Sequence, residues 1–489
     1  MITNAINLMI ICAFAFIPLL LGEQARNRST GSSEDFILQG RRLGLFPMYA
    51  TVFATWMSAF AFLSGITYFF EEGPIYMTTV GWDMLFAVLF ILMGRRIWHY
   101  GRSYGYMTAT DFFQDIYRSR ILSLIVTIIS IVCTMLYLQA QIAGAGIVIQ
   151  VGTKGVISVY AGGIIFFAIL VIYLWAGGLR AVAMTDIFYG ILIVVAMIGT
   201  GVFLMRTAGG TEEVFRRIVE DDPSHVSMSF ENGKDRVRMW IALFIIVPVG
   251  AFMCPQMWIR NYAAGSPRHF MILPLLLGLS SIICIGTLFS GSAGIVLATH
   301  TTDPSAVIVD LLSEYAHPFF YVFVIAGIFA AIFSTANSQV HALATVYAMD
   351  IHRRYINTKL PDRRMVSIAK WAILFISAGS WLLMIIVPRN VFDLAIMALG
   401  GMAQLMVPVA GALFWSGSSP RGAVTGILTG EGVFLLLTVL SELDGSICGL
   451  IALGLNVITF AVSSVAFSPV GSVRRRIDNY RREYASRNY

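Results

Sequence analysis

Apolar residues fill this chain in long blocks, and polar residues punctuate them. The blocks run over about 2–22, 46–70, 76–98, 121–150, 157–176, 182–206, 237–259, 270–298, 318–349, 367–387, 392–415, 423–440 and 448–467. Nearly all reach the about 18 residues that a helix needs to cross a bilayer. They predict about thirteen membrane helices. The fold class that follows is an all-α polytopic membrane protein, because no other open structure satisfies its backbone in lipid. The first block is too long for a signal-peptide core and lacks a basic start and a cleavage site, so it reads as a retained helix.

Two blocks are irregular. Residues 50–65, ATVFATWMSAFAFLSG, are rich in small residues and show no regular apolar stripe. The segment VPVGAFMCPQMWIRN places Pro248, Gly250 and Pro255 inside one hydrophobic run, and proline removes a backbone hydrogen bond and clashes with the preceding turn. Interrupted helices at matching places in two halves point to a transport site. The second and seventh helices stand five apart. This predicts two five-helix repeats, at 46–206 and 237–415. Residues 1–45 (helix and loop), 423–467 (two helices) and a basic tail at 468–489 flank them.

The block at 318–349 contains AAIFSTANSQ, hydroxyls where a lipid-facing helix has little use for them. Ala331, Ser334, Thr335 and Ser338 follow i, i+3, i+4, i+7 and share one helix face. Small residues leave room there, and hydroxyls offer the neutral oxygens that a dehydrated monovalent cation requires. The same pattern also serves hydroxyls bonded back to the preceding turn, or close helix packing.

Charge sets the expected orientation. The chain is 57% apolar and only 12% charged, against roughly 25% charged for a soluble domain. With the N-terminus outside, about 25 of the 33 basic residues fall on cytoplasmic loops and the tail. Most of the others lie in 206–238, expected to be an outer surface segment with some helix. The tail, SVRRRIDNYRREYASRN, is expected to be a solvated or headgroup-facing end. The chain is thus expected in the plasma membrane, with its C-terminus cytoplasmic. A net charge of +6 fits a basic membrane-facing surface, not a nucleic-acid partner. Membrane lipid and a small solute are the expected partners, with no obligatory protein partner evident. The five cysteines show no metal spacing, and no Walker loop, HExxH or CxxC is present. The chain is therefore expected not to be an enzyme.

Asp83 and Glu431 are acids within apolar blocks, and each must face protein or water. Asp83 suits a cationic or hydroxylated solute or a neighbouring helix; Glu431, outside the repeats, suits structure. No Lys or Arg is expected deep in the second, third, fourth, seventh or ninth helix.

SSEDFILQGRRLG at 32–44, GGLRAVAMTD at 177–186, PQMWIRNYAAGS at 255–266 and AAIFSTANSQVHALATVYAMDI at 330–351 resemble, in order and spacing, segments of the sodium/solute symporter family. That family includes proline, pantothenate, sugar and sialic-acid symporters. The resemblance spans about residues 30 to 465. It implies a five-plus-five inverted-repeat transporter fold with flanking helices, sodium coupling and alternating access. It also implies a sodium ion (Na+) held by the carbonyls of Ala54, Met57 and Ala331 and the hydroxyls of Ser334 and Thr335. Some members carry a second sodium, whose matching residues here are Asp186, Ser334 and Ser338, although Asn337 departs from that pattern. Asp186 reads as the start of the sixth helix. Tyr137 matches a pocket tyrosine of proline carriers. Trp56 stands where those carriers have an acid, and Phe60 and Ala61 replace a polar pair of sugar carriers, which disfavours a sugar. Further pocket candidates are Ser58, Phe60, Tyr76, Asp83, Gln139, Gln141, Phe252, Asn337 and His341. The expected function is sodium-coupled import of a small organic solute: an amino acid, an organic acid or a vitamin-like molecule. The competing readings are a proton-coupled or facilitative carrier using Asp186 or Asp83, a transporter-like receptor, and an intramembrane enzyme.

Overall fold

The computed structural model describes residues 17, 20–25, 27, 30–227, 234–298, 304–387, 389–469 and 471–486. Among them the elements are helical, apart from an isolated bridge between Leu43 and Ala264. The helices are α1 (Ser33–Leu38), α2 (Leu45–Trp56), α3 (Phe60–Glu71), α4 (80–104), α5 (Ala109–Tyr117), α6 (Arg120–Gly152), α7 (Val159–Ile172) and α8 (Gly178–Thr207). They continue as α9 (Thr211–Asp221), α10 (Val237–Met253), α11 (Pro255–Ala263), α12 (His269–Leu297), α13 (Val307–Tyr315) and α14 (Pro318–Ile356). The last are α15 (Asp362–Ile386), α16 (Val391–Phe414), α17 (Pro420–Leu440), α18 (Gly445–Ala466) and α19 (Gly471–Ser486).

Eight of the described helices are long and apolar enough to cross a membrane, and ten spans result if each of two bent pairs counts as one. The predicted run 2–22 lies largely outside the described residues. The run 76–98 is divided by a π-helical turn at Phe90–Gly94, and 157–176 shortens to α7. The chain is a multi-pass membrane protein. Leu436, Val439, Val462 and Val465 on α17 and α18 are more than half exposed, as a lipid-facing belt requires.

The bent pairs are α2–α3, at 56°, and α10–α11, at 58°. The fold is a five-plus-five inverted-repeat transporter fold. The second break falls at Cys254, with Pro255 starting α11, whereas Pro248 sits inside an unbroken α10. Gly250 serves closeness instead: a Cβ there would come within 2.1 Å of the Leu399 carbonyl oxygen on α16.

The four segments that carry the family resemblance meet in space. Gly178 has φ +59, and a Cβ there would lie 2.7 Å from the Phe36 carbonyl oxygen. Arg180 pairs with Asp35 at 2.7 Å, and His341 bonds the Phe36 carbonyl at 3.1 Å. Leu43 donates to Ala263 at 3.0 Å and accepts from Gly265 at 2.9 Å. Their joint appearance along the chain therefore reflects one packed unit.

The tail is not a free end. Val473, Ile477 and Tyr480 are buried, because their i, i+4, i+7 spacing gives α19 an apolar stripe. Tyr480 and Tyr106 both donate to Asp115 on α5, and Arg476 pairs with it at 2.5 Å. The segment after α8 carries α9, whose exposed face holds Arg216 and Arg217 bonded to Glu213 and Glu220.

Candidate ion and solute site

The site begins where α2 stops. In a continuous helix the Ala54 carbonyl would accept from the Ser58 amide, and that of Thr55 from the Ala59 amide. Here Met57 leaves the helical region with ψ 75. The Ser58 amide turns to the Trp56 carbonyl at 3.0 Å, and the Ala59 amide is taken by Gln141 Oε1 at 3.1 Å. Two carbonyls are thereby freed inside the protein, where they need new partners.

Helix α14 supplies them. Ser334 Oγ lies 2.7 Å from the Ala54 carbonyl oxygen and 3.0 Å from that of Ala331. Thr335 Oγ1 donates to the Thr55 carbonyl at 2.9 Å. The bond to Ala331 is ordinary back-bonding within a helix. The bonds to α2 are not, and they tie the break to the hydroxyl face. Three carbonyl oxygens thus meet two adjacent hydroxyls, with only two protons among the five. Ala54, Ala331, Ser334 and Thr335 all stand fully buried. Hard neutral oxygens suit an alkali cation, whereas no His, Cys, Asp or Glu cluster able to hold another metal occurs among the described residues. The Thr55 carbonyl joins those of Ala54 and Ala331 in this hydrogen-bond set.

The second expected set looks different. Asp186 lies more than two turns into α8, not at its start, because the helix resumes at Gly178. Thr51 Oγ1 donates to its Oδ2. The space between Asp186 and Ser338 is filled by Arg260 of α11. Its guanidinium donates to Ser338 Oγ at 2.6 Å, to Thr51 Oγ1 at 2.7 Å and to Thr55 Oγ1 at 2.8 Å. It also lies 3.6 Å from Asp186 Oδ2. The side chains of Arg260 and Asp186 are 1% and 0% exposed. The apolar block ending at 259 left Arg260 outside the seventh helix, in which no deep cation was expected; the structure instead places Arg260 within α11 and buries it. Its signal was its neighbourhood: Trp258 and Ile259 precede it, one turn past the Pro255 break.

Beyond the break lies a small pocket of about 40 Å³, room for about one water. Of the sequence candidates, Met57, Phe60, Tyr76, Asp83 and Tyr137 line it, joined by Trp56, Trp82 and Phe392. Asp83 accepts from Trp56 Nε1 at 2.6 Å and from Cys284 Sγ at 3.4 Å. Trp56 stacks on Phe86 with ring centres 4.2 Å apart. No Lys or Arg lines the pocket. At its end Tyr68 packs tilted against Tyr76 and stacks on Phe392, with ring centres 4.4 Å and 4.2 Å apart. Past them opens a cavity of about 270 Å³ whose lining includes Glu71, Asp393 and Asp444.

The other candidates lie outside the pocket lining. Ser58 Oγ accepts from the Phe60 amide and lies 3.2 Å from Tyr137 Oη. Gln139 donates to the Val387 carbonyl at 2.7 Å, and Gln141 serves the α2 break. Phe252 packs edge-on against Phe90. His341 holds α1, and Asn337 is buried without a hydrogen-bond partner.

Residues 36–430 match the sequence pattern of the sodium:solute symporter family. The chain belongs to that family. This symporter is 24% identical over 456 residues to a sodium/pantothenate symporter of Haemophilus influenzae, with 88% of this chain and 90% of that one covered. It is 24% identical over 455 residues to sodium/proline symporter 2 of Staphylococcus saprophyticus, covering 88% and 86%. In fold it is similar to a Na+-coupled sialic acid symporter solved in a substrate-bound outward-open state. The TM-score is 0.81 at 18% identity, over 95% of this chain and 98% of that one. Sodium is the coupling ion of the symporter.

Proposed function

We propose that the symporter imports one small organic solute per cycle together with a single sodium ion held between α2 and α14. The observation that carries this reading is the pairing of Ser334 and Thr335 with the freed carbonyls of Ala54 and Thr55. On ion entry the two hydroxyls turn their protons away, and their lone pairs join the carbonyls around the cation. The ion links α2 to α14 and so favours the arrangement in which the adjoining pocket is formed. Because coupling is reciprocal, solute binding raises sodium affinity by the same factor. Arg260 is the fixed positive charge of the Asp186–Ser338 set, which argues for one mobile ion.

The solute site is the pocket around Asp83. A carboxylate with no cation beside it, among aromatic walls, favours a solute with an apolar body and an amine or hydroxyl donor. A carboxylate on the solute has no buried cation to meet there and would rely on amides and helix N-termini. The threefold excess of basic residues on one set of loops supports a plasma-membrane orientation with the N-terminus outside and the tail cytoplasmic.

Proteoliposomes test the reading. Uptake from a panel of amino acids, amines, organic acids and vitamins should require an inward sodium gradient, with potassium inactive. Asp83→Asn should weaken solute affinity about tenfold while leaving sodium binding intact. Uptake driven equally well by a proton gradient without sodium would reject sodium coupling.

A further inference from the structure

At the end of the molecule that carries α19, a cavity of about 880 Å³ opens between α5, the start of α6, the end of α14 and the tail. Five arginines line it: Arg118, Arg120, Arg353, Arg354 and Arg476. Only two carboxylates do, Asp111 and Asp115, and both are engaged, by Arg354 at 2.6 Å and by Arg476 at 2.5 Å. The lining therefore carries an excess of three positive charges, five less two. Arg118, Arg120 and Arg353 make no ion pair among the described residues.

A preference for basic loops on one side of a membrane accounts for arginines on an open surface. It does not account for five guanidinium groups gathered around one cavity and only partly paired. Arg118, Arg120 and Arg353 stand there beside the paired Arg354 and Arg476, the last of which also stacks on Tyr104 and Tyr480. Like charges brought together repel unless a counter-ion is supplied. The need is for an anion with several oxygens, and the planar fork of guanidinium matches phosphate.

We infer that this cavity is a binding site for a phosphate-bearing anion, separate from the solute pathway. Its size is that of a ligand site. Its mouth adjoins the membrane face: Ile121, Leu124 and Ile128, next to Arg120 on α6, are 67%, 44% and 51% exposed. A phospholipid headgroup seated among the arginines would lay its chains along that face, and a soluble phosphate compound would use the same groups. Because Arg476 belongs to α19 and Arg353 and Arg354 to the end of α14, the bound anion fastens the tail to the helix that also carries the ion site.

The test uses the full chain in nanodiscs of phosphatidylcholine alone or mixed with phosphatidylglycerol, with thermal unfolding and lipid occupancy by native mass spectrometry as readouts. Phosphatidylglycerol should raise the unfolding temperature and be retained. If the source is soluble, inorganic phosphate should do so in pure phosphatidylcholine discs. The triple variant Arg118→Gln, Arg120→Gln, Arg353→Gln should lose at least about tenfold in affinity for whichever probe binds. It leaves the paired arginines in place, and stabilisation by sodium should persist as proof of folding. Should the triple variant fail that control, Arg353→Gln alone should still weaken retention. Neither probe binding to the wild type, or binding unchanged in a folded variant, would overturn the inference.

Discussion

The clusters around Ser334 and Ser338 lie one helical turn apart on α14, and both face α2. At Ser334 the chain gathers carbonyl and hydroxyl oxygens and supplies no charge. At Ser338 it gathers hydroxyls with a carboxylate and supplies its own guanidinium. Both satisfy the rule that polar groups in a membrane interior must find partners. The first does so in a way that a small cation can replace, because a hydroxyl rotates at little cost. The second does so with a tethered cation that an ion would have to displace. The difference gives two adjacent polar clusters, similar in sequence, different capacities: one can open to an ion, and the other holds its own cation.

The largest expected effect comes from breaking the fixed pair. Arg260→Gln leaves Asp186 buried without its positive partner, which should cost about 3–5 kcal/mol in stability, read as a lowered unfolding temperature. High sodium should recover part of the loss, because the vacated set is then open to an ion. Adding Asp186→Asn should restore stability without sodium and remove that extra response.

Next comes the proposed ion site. Ser334→Ala with Thr335→Val should raise the half-saturating sodium concentration about tenfold to a hundredfold, equivalent to about 1–3 kcal/mol for unreplaced oxygens. Solute affinity should fall at low sodium and recover at saturating sodium. A half-saturating value at the wild-type level, with the variant in the membrane, would reduce this face to helix packing.

These two clusters were unequally legible in the sequence. Small residues over 50–65 and the Pro255 break announced bent helices, because those residues act on their own backbone. The Ser334 face followed from helical spacing alone. Arg260 was hidden because hydropathy treats a charge as a boundary, and only its acceptors on α2 and α14 show it to be interior. Gln139, Gln141 and His341 are in polar positions that spacing cannot sort into pocket or scaffold. Their donors and acceptors go to backbone groups as far away in sequence as Val387 and Phe36. The α19 stripe was readable but masked by its five arginines.

The smallest effect concerns the tail. Burial opposes the Asp115 charge, but hydrogen bonds from Tyr106, Tyr480 and Arg476 outweigh it and hold the carboxyl below its ordinary pKa. A depressed carboxylate stabilises the folded arrangement above its unfolded pKa, about 3.9, and that stability is lost as pH falls through the folded value. Amide exchange in Gly471–Ser486 should therefore stay slow from neutral pH down to the ordinary carboxylate range and quicken only below it. Asp115→Asn should quicken it at neutral pH while leaving sodium affinity within about twofold.

The comparison rests on one mobile ion against one fixed charge, and counting ions tests it without knowing the solute. Equilibrium binding of radioactive sodium to the purified symporter should saturate at one ion per chain. Binding should be lost over the same range in the Ser334→Ala, Thr335→Val variant, and Arg260→Gln should take up a second ion. Two ions per wild-type chain would contradict the account, as would a single ion indifferent to Ser334 and Thr335.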